Sequence, residues 1–296
     1  MRNFLAKVPL AVHVYRLVKV VMADPLNRGF RARFVYRYLL WFGYQRPTGQ
    51  RTLATLANGM RSWVYADSDA GVSYLFTRNV DYYDDIFVRK ILHAGDFIVD
   101  AGCNVGNRML GLADIIGGAL LLDANPLCLE RLTENLELNH LDPNRFHQVP
   151  QAVGAEVGIL SFSDLGATDC SNHVLDDVEA PAAHDSIRRV PVTTIDTEVL
   201  ALGNPACAYI KLDLEGYDLE GLRGARQTLT ENQVRLVKFE RWQSVALEPF
   251  ENFFQEIDWV LVGLDHRGTP TIDRRVILRV ANLFGMPRSR WEELAA

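Results

Sequence analysis

From about residue 96 onward, short apolar runs alternate with stretches in which apolar residues recur every three or four positions. This is the pattern of strand and helix in turn, and it builds a parallel sheet from βαβ units. Gly95-Asp96 leads into the first predicted strand, 97–100, and a glycine-bearing loop then opens a helix through Met109 to Ile116, ended by Gly117-Gly118. The second strand is 119–123. Pro126 starts an amphipathic helix carrying Leu127, Leu129, Leu132, Leu136 and Leu138 and ending near Asn139. A third strand is expected at 146–153. Apolar segments at 159–163 and 190–195 flank a polar loop, 164–189, of a length that is more often functional or disordered than idle. Strand four covers 208–214, its helix 219–230, and strand five 234–239. The tail reads as a helix, 249–257, and two strands, 259–264 and 275–280, joined by His266-Arg267-Gly268-Thr269-Pro270. A link that short requires an antiparallel pair. No internal repeat or low-complexity segment interrupts this order.

The fold class is therefore α/β, with a domain over 61–296 and a helical extension over 1–60. Charge sharpens the division. The chain of 296 residues carries −6 overall, yet residues 1–60 hold ten Lys/Arg against the single acid Asp24, a balance of +9 that leaves −15 on the rest. The acidic body argues against nucleic acid as a partner, whereas the basic extension suits an anionic surface. Residues 4–23 form an amphipathic basic segment, and 30–42 are rich in aromatic residues and arginine. Lys7, Arg16 and Lys19 break the first apolar stretch, which counts against a signal peptide or a membrane span. Two readings stay open: residues 1–45 lie on an anionic membrane, or they pack on the catalytic domain or a second subunit, with an oligomer allowed. The four cysteines form no C-x-x-C pair, so a reducing cytoplasmic location is expected, at most peripheral at the inner membrane face.

In an open parallel sheet, ligands bind beyond the carboxyl ends of the strands where strand order reverses. Asp100, Asp123, Asp213 and Glu240 each close an apolar strand there. The turn between strand one and its helix is Asp100-Ala101-Gly102-Cys103-Asn104-Val105-Gly106. Gly102 and Gly106 admit close backbone approach, and Asn104 tolerates a tight turn. The turn is neither the G-x-G-x-x-G of dinucleotide enzymes nor a phosphate-binding loop with its Lys-Ser/Thr end. Asp123 stands where a carboxylate accepts hydrogen bonds from both hydroxyls of a ribose, with Asn125 beside it. A strand-terminal Asp can equally cap the following helix.

These segments resemble the FkbM family of S-adenosylmethionine-dependent methyltransferases over roughly residues 95–242. The family's D-x-G-A-N-x-G loop appears as Asp100 to Gly106, with Cys103 replacing the alanine. Its N-P segment is Asn125-Pro126, preceded by Asp123 where the family usually has Glu, and its N-L-x-x-N helix end is Asn135 to Asn139. Its A-V-G turn is Ala152-Val153-Gly154, its V-x-x-x-x-L/I-D segment Val190 to Asp196, and its I-K-I-D-x-E-G signature Ile210 to Gly216. The resemblance implies a Rossmann-like class I methyltransferase fold, a mostly parallel seven-stranded sheet with an antiparallel C-terminal strand. It also implies S-adenosylmethionine as cofactor and O-methylation of a hydroxyl on a sugar, polysaccharide or secondary metabolite. Cofactor contacts are then expected at Asp100, Gly102, Asn104, Gly106, Asn107, Asp123, Ala124, Asn125, Ala152 and Asp213.

The two-residue period of a strand puts Tyr209, Lys211 and Asp213 on one face of strand four. A lysine in so apolar a strand needs a partner, and Asp213, Asp100 and Glu240 are the candidates. Lys211 stiffens the sheet or serves the site. Glu215, just past the strand, can take a proton from an acceptor hydroxyl, so Asp213, Glu215 and Lys211 are the candidate catalytic residues. Asp169 and His173 in the long loop are candidates for the acceptor pocket. No metal is expected, because Asp213 with Glu240 gives only a partial oxygen set. The competing reading is a non-catalytic, membrane-associated binding module that keeps the fold; a nicotinamide oxidoreductase is disfavoured by the glycine spacing.

Overall fold

Phe34, Tyr38 and Trp41 recur at helical spacing, and helix α1 (Arg31–Leu40), continued by a π-helical turn over Trp41–Gln45, buries all three. The computed structural model describes residues 21–22, 27–77, 80–164 and 186–296. It divides the chain into two compact units, 1–80 and 81–296. In the first unit the antiparallel hairpin of β1 (Thr52–Thr55) and β2 (Arg61–Val64) shares a core with α1, built by Val21, Phe34, Tyr38, Trp41, Ala54, Val64, Leu75 and Phe76. The Tyr38 ring lies 4.6 Å from that of Phe42 and 5.0 Å from that of Phe76. The aromatic stretch thus supplies a core of its own, while Tyr36, Leu39 and Tyr44 stay exposed. Most of the basic segment 4–23 lies outside the described residues, as do Asp169 and His173.

The second unit opens with α2 (Tyr82–Ile91), followed by β3 (Phe97–Ala101), α3 (Asn107–Leu112), β4 (Gly118–Leu122) and α4 (Pro126–Leu138). Then come β5 (Phe146–Val149), β6 (Ala152–Val153), β7 (Gly158–Asp164), β8 (Ser186–Thr193), α5 (Ile195–Ala201) and β9 (Cys207–Leu212). The chain continues through α6 (Asp218–Arg223), α7 (Arg226–Glu231), β10 (Leu236–Glu240), α8 (Glu248–Glu256), β11 (Trp259–Leu264), β12 (Pro270–Thr271), α9 (Arg274–Ile277), β13 (Asn282–Pro287) and α10 (Arg288–Ala295). Among the described residues the main sheet runs β12-β11-β13-β10-β9-β3-β4-β5. Strands β5, β4, β3, β9 and β10 are parallel, and β13 inserts antiparallel between β10 and β11. This is the expected Rossmann-like α/β sheet with an antiparallel C-terminal strand, extended at its edge by the two-residue β12. Every residue of β4 and β9 is buried, as a strand covered on both faces requires.

One face of this sheet presents Val99, Ala101, Ile210, Leu212, Val237 and Phe239, which share a core with Leu222, Leu229, Phe250, Phe253 and Phe254. Rings of Phe239 and Phe250 stack at 5.0 Å. Each such buried side chain contributes about 1.5–3 kcal/mol. The other face carries Asp100, Lys211 and Lys238 in one transverse row, since Asp100 pairs with Lys211 in register and Lys211 with Lys238. Helix α2 lies on that face, where Phe87 meets Phe284 edge-on at 5.1 Å.

Several expected elements change, and the helix expected at 219–230 is two, α6 and α7. The strand at 275–280 is largely helix α9, started by Asp273, whose side chain accepts the Arg275 N–H. The last strand falls at β13, where Leu283, Phe284, Gly285 and Met286 are buried. The third strand, 146–153, splits: β5 joins the main sheet, while β6 joins β7 and β8 in a separate three-stranded sheet. The segment 190–195 stops at Thr193, because the Thr194 side chain accepts the Thr197 N–H and starts α5.

Candidate active site

The chain begins its sheet at β3, moves outward to β4 and β5, and returns to β9 on the opposite side of β3. Strand order therefore reverses between β3 and β9, and the turn after β3 sits at that switch point. Gly102 and Cys103 donate to the Leu122 carbonyl at 2.8 and 3.0 Å, which ties the turn to the end of β4. Gly102 (φ +71°) also lies against β9, where any side chain would collide with the Asp213 carbonyl oxygen. Asn104 adopts φ +50° and Gly106 φ +81°, the left-handed conformations that these residue types were expected to provide.

Asp123, just past β4, braces this turn. Its Oδ2 accepts the Asn104 N–H at 2.8 Å and its Oδ1 the Asn125 N–H at 2.8 Å. Burial pushes its carboxyl up to about 6 even though both hydrogen bonds pull the other way. Each oxygen keeps a further lone pair, so a pair of ribose hydroxyls can still be accepted. Asn125 spends its side chain on capping α4, accepting the Leu127 N–H. Ala152 is buried and Ala124 partly buried in the small apolar cluster with Val190 and Val192. Asn107 opens α3, and its buried Oδ1 has no hydrogen-bond partner.

On β9, Lys211 is buried and stands 3.1 Å from Asp100 Oδ1 and 3.2 Å from Asp213 Oδ2, donating also to the Gly102 carbonyl at 2.9 Å. Burial works against its charge, but Asp100 and Asp213 outweigh burial and raise its pKa. The lysine thus holds the turn, β3 and the end of β9 together. Beyond this ion pair Asp100 is unserved, since its Oδ2 is buried and accepts no hydrogen bond. The Tyr209 hydroxyl on the same face is buried without a partner too.

Beyond β9 the backbone turns through Glu215 at φ +53° and Gly216 at φ +94°. Burial, with Asp213, Glu240 and Asp218 nearby, pushes the Glu215 carboxyl up to about 8. Glu240 is raised by burial and by Asp213. The reading of the sequence missed Asp218, which is fully buried. Its Oδ2 accepts the Leu214 N–H at 3.2 Å and its Oδ1 the Glu240 N–H at 3.0 Å, joining the ends of β9 and β10. Trp242 was missed as well; its indole packs over Gly216. Asp218 lies two residues past the signature and reads as an ordinary first-turn acid of a helix, while a tryptophan after a strand carries no spacing signal. Among the described residues, no group of three or more His, Cys, Asp or Glu is placed to hold a metal ion.

Residues 100–267 match the family described as Methyltransferase FkbM domain. No curated protein matches the chain by sequence. Of solved structures, a methyltransferase FkbM from Methylobacillus flagellatus is similar at 14% identity and a TM-score of 0.44, over 93% of this chain. The chain covers 58% of that protein, under two thirds of its length. An rRNA methylase from Streptococcus thermophilus is similar at 11% identity and a TM-score of 0.42, over 69% of this chain and 92% of its own. SMU.1697c from Streptococcus mutans, solved in complex with SAH, is similar at 9% identity and a TM-score of 0.41, over 69% and 96%.

Proposed function

Because the chain belongs to the FkbM methyltransferase family, whose domain matches residues 100–267 and so includes the turn after β3 and the end of β9, we propose that it methylates a hydroxyl oxygen on a sugar, a polysaccharide or a secondary metabolite. Its cofactor is S-adenosylmethionine. The residues at the turn fit that molecule. Asp100 Oδ2 and Asn107 Oδ1 are buried acceptors without hydrogen bonds, suited to the N–H donors of an α-ammonium. Asp123 has lone pairs for ribose hydroxyls, and Gly102 keeps the turn against β9. When bound, the cofactor supplies an electrophilic methyl group.

The observation that carries the reading of the acceptor side is the gathering of Asp213, Glu215 and Glu240 at the carboxyl ends of β9 and β10, beside the turn. A hydroxyl is a weak nucleophile until a base takes its proton, and Glu215, raised to about 8, is a stronger base than an ordinary carboxylate in its ionised fraction, which grows as pH rises toward 8. Asp213, with its side chain about half exposed, orients the hydroxyl. Lys211 stays charged between Asp100 and Asp213 and fixes both. The test is incubation with labelled cofactor and pools of glycans, glycolipids, small metabolites and RNA. Label on an oxygen of a glycan or metabolite supports the proposal. Label on RNA refutes the acceptor class, and no label in any pool favours a non-catalytic module.

A further inference from the structure

We infer that Arg108 is a positioning residue for the cofactor turn, acting as a clamp that ties the turn's exit to the first turn of α2. This rests on the cofactor reading of the turn and goes beyond it.

Arg108 is the second residue of α3, two positions past Gly106. Its guanidinium is mostly buried and forks, one nitrogen donating to Asp85 and another to Asp81. A planar fork suits two carboxylates set one helical turn apart, where a point charge does not. Asp81 and Asp85 are held in turn. Asp84, between them, pairs with Lys238 of β10 at 2.7 Å and accepts from the Asn282 side chain of β13 at 2.6 Å, while Lys238 also stands 3.4 Å from Asp81. Burial raises the Asp81 pKa, but Lys238 and Arg108 outweigh it and hold the carboxyl below its ordinary value.

The result is a continuous path of ionic contacts from the sheet to the turn: β10 and β13 hold α2, and α2 holds Arg108. At its entrance the turn is fixed by Lys211 on Gly102, and in its middle by Asp123 on Asn104. At its exit the Val105 carbonyl accepts from the Asn135 side chain of α4 at 2.9 Å, and Arg108 adds the tie to α2, while Asn107 leaves its Oδ1 unpaired. Cutting the clamp therefore loosens the exit of the turn from α2, leaving Asn135 as its remaining side-chain hold, without touching the groups that meet the ligand. A displacement of about 1 Å in positioning groups can cost on the order of a hundredfold, so a partial release predicts about tenfold.

The experiment is calorimetric titration of the full chain with S-adenosylhomocysteine, at a temperature where circular dichroism shows every variant folded. Arg108→Gln is expected to weaken Kd about tenfold, Arg108→Lys less, and Asp85→Asn by an intermediate factor. In the Asp85→Asn, Arg108→Gln double variant the loss should not exceed that of Arg108→Gln alone, since both remove one device. Arg235→Gln serves as control. It breaks an ion pair with Asp96 at the opposite, amino end of the same strands, and should lower Tm while leaving Kd unchanged. Wild-type affinity in Arg108→Gln overturns the inference, and so do losses that simply add in the double variant. If Arg108→Gln does not fold, an unchanged Kd in Asp85→Asn overturns it equally. A wild-type chain that gives no heat sinks the cofactor reading itself and the clamp with it.

Discussion

Gly102 shows how backbone conformation and packing together can demand a bare residue in the turn. Its positive φ already disfavours a side chain, and the Asp213 carbonyl oxygen occupies the space a Cβ would need. Gly102→Ala should cost about 2–4 kcal/mol through backbone strain and overpacking. It should also abolish detectable S-adenosylhomocysteine binding; a wild-type melting curve and Kd would remove the glycine from its role. Asp123 gives a pH test. Its folded pKa, about 6, lies above the unfolded value near 4, so the unfolded chain loses the proton first and the residue's contribution to folding declines between those pH values. Ligand binding has the opposite sign, because hydroxyls donate to the charged form. Affinity for S-adenosylhomocysteine should therefore fall as pH drops through about 6, and Asp123→Asn should bind weakly at every pH; a wild-type Kd flat from pH 5 to 8 would refute this role. At this scale the site was legible where chemistry and spacing coincide: Asp100, Lys211 and Asp213 meet as expected, and Asn104 takes its left-handed turn. Asp218 and Arg108 were not legible, because their partners are backbone groups and carboxylates brought near only by the fold.

Among the elements, buried parallel strands were the easiest to read, since β3, β4, β9 and β10 are short apolar runs closed by an acid. The antiparallel strand β13 was harder. Its sequence, Asn282-Leu283-Phe284-Gly285-Met286-Pro287, contains a glycine and ends in proline, both unfavourable in a strand taken alone. Its neighbours explain the glycine. A Cβ at Gly285 would run into the Phe254 ring of α8 and press on Val237 of β10, so the strand fits only where its middle residue is bare. Tertiary packing thus overrides local propensity here. Gly285→Ala should destabilise the domain by about 1–3 kcal/mol, each kcal/mol lowering Tm by about 2–4 °C at this size. Adding Phe254→Leu should recover part of the loss, so the double variant falls short of the sum of the singles. Strictly additive losses in thermal unfolding would show that the ring is not what excludes the side chain.

For the whole molecule, the charge division is the feature with most consequence outside the catalytic domain. The sequence placed +9 on residues 1–60, and the described part of the first unit shows how some of that stretch folds: α1 turns Phe34 and Tyr38 inward and leaves Tyr36 and Leu39 64% and 60% exposed, with Arg33 also exposed. A helix showing arginine, tyrosine and leucine on one side combines the two elements of interfacial attraction, since each basic residue near an anionic surface contributes about 1 kcal/mol and apolar side chains add burial. No helix among the described residues is long and apolar enough to cross a membrane. We propose that residues 1–45 hold the chain at an anionic surface. The full chain should co-sediment with phosphatidylserine-containing vesicles at low salt, release as salt rises, and ignore pure phosphatidylcholine. Tyr36→Ser with Leu39→Ser should weaken sedimentation while S-adenosylhomocysteine affinity stays at the wild-type value. A full chain that stays in the supernatant with anionic vesicles at low salt assigns the basic unit instead to packing within the protein or against a second copy.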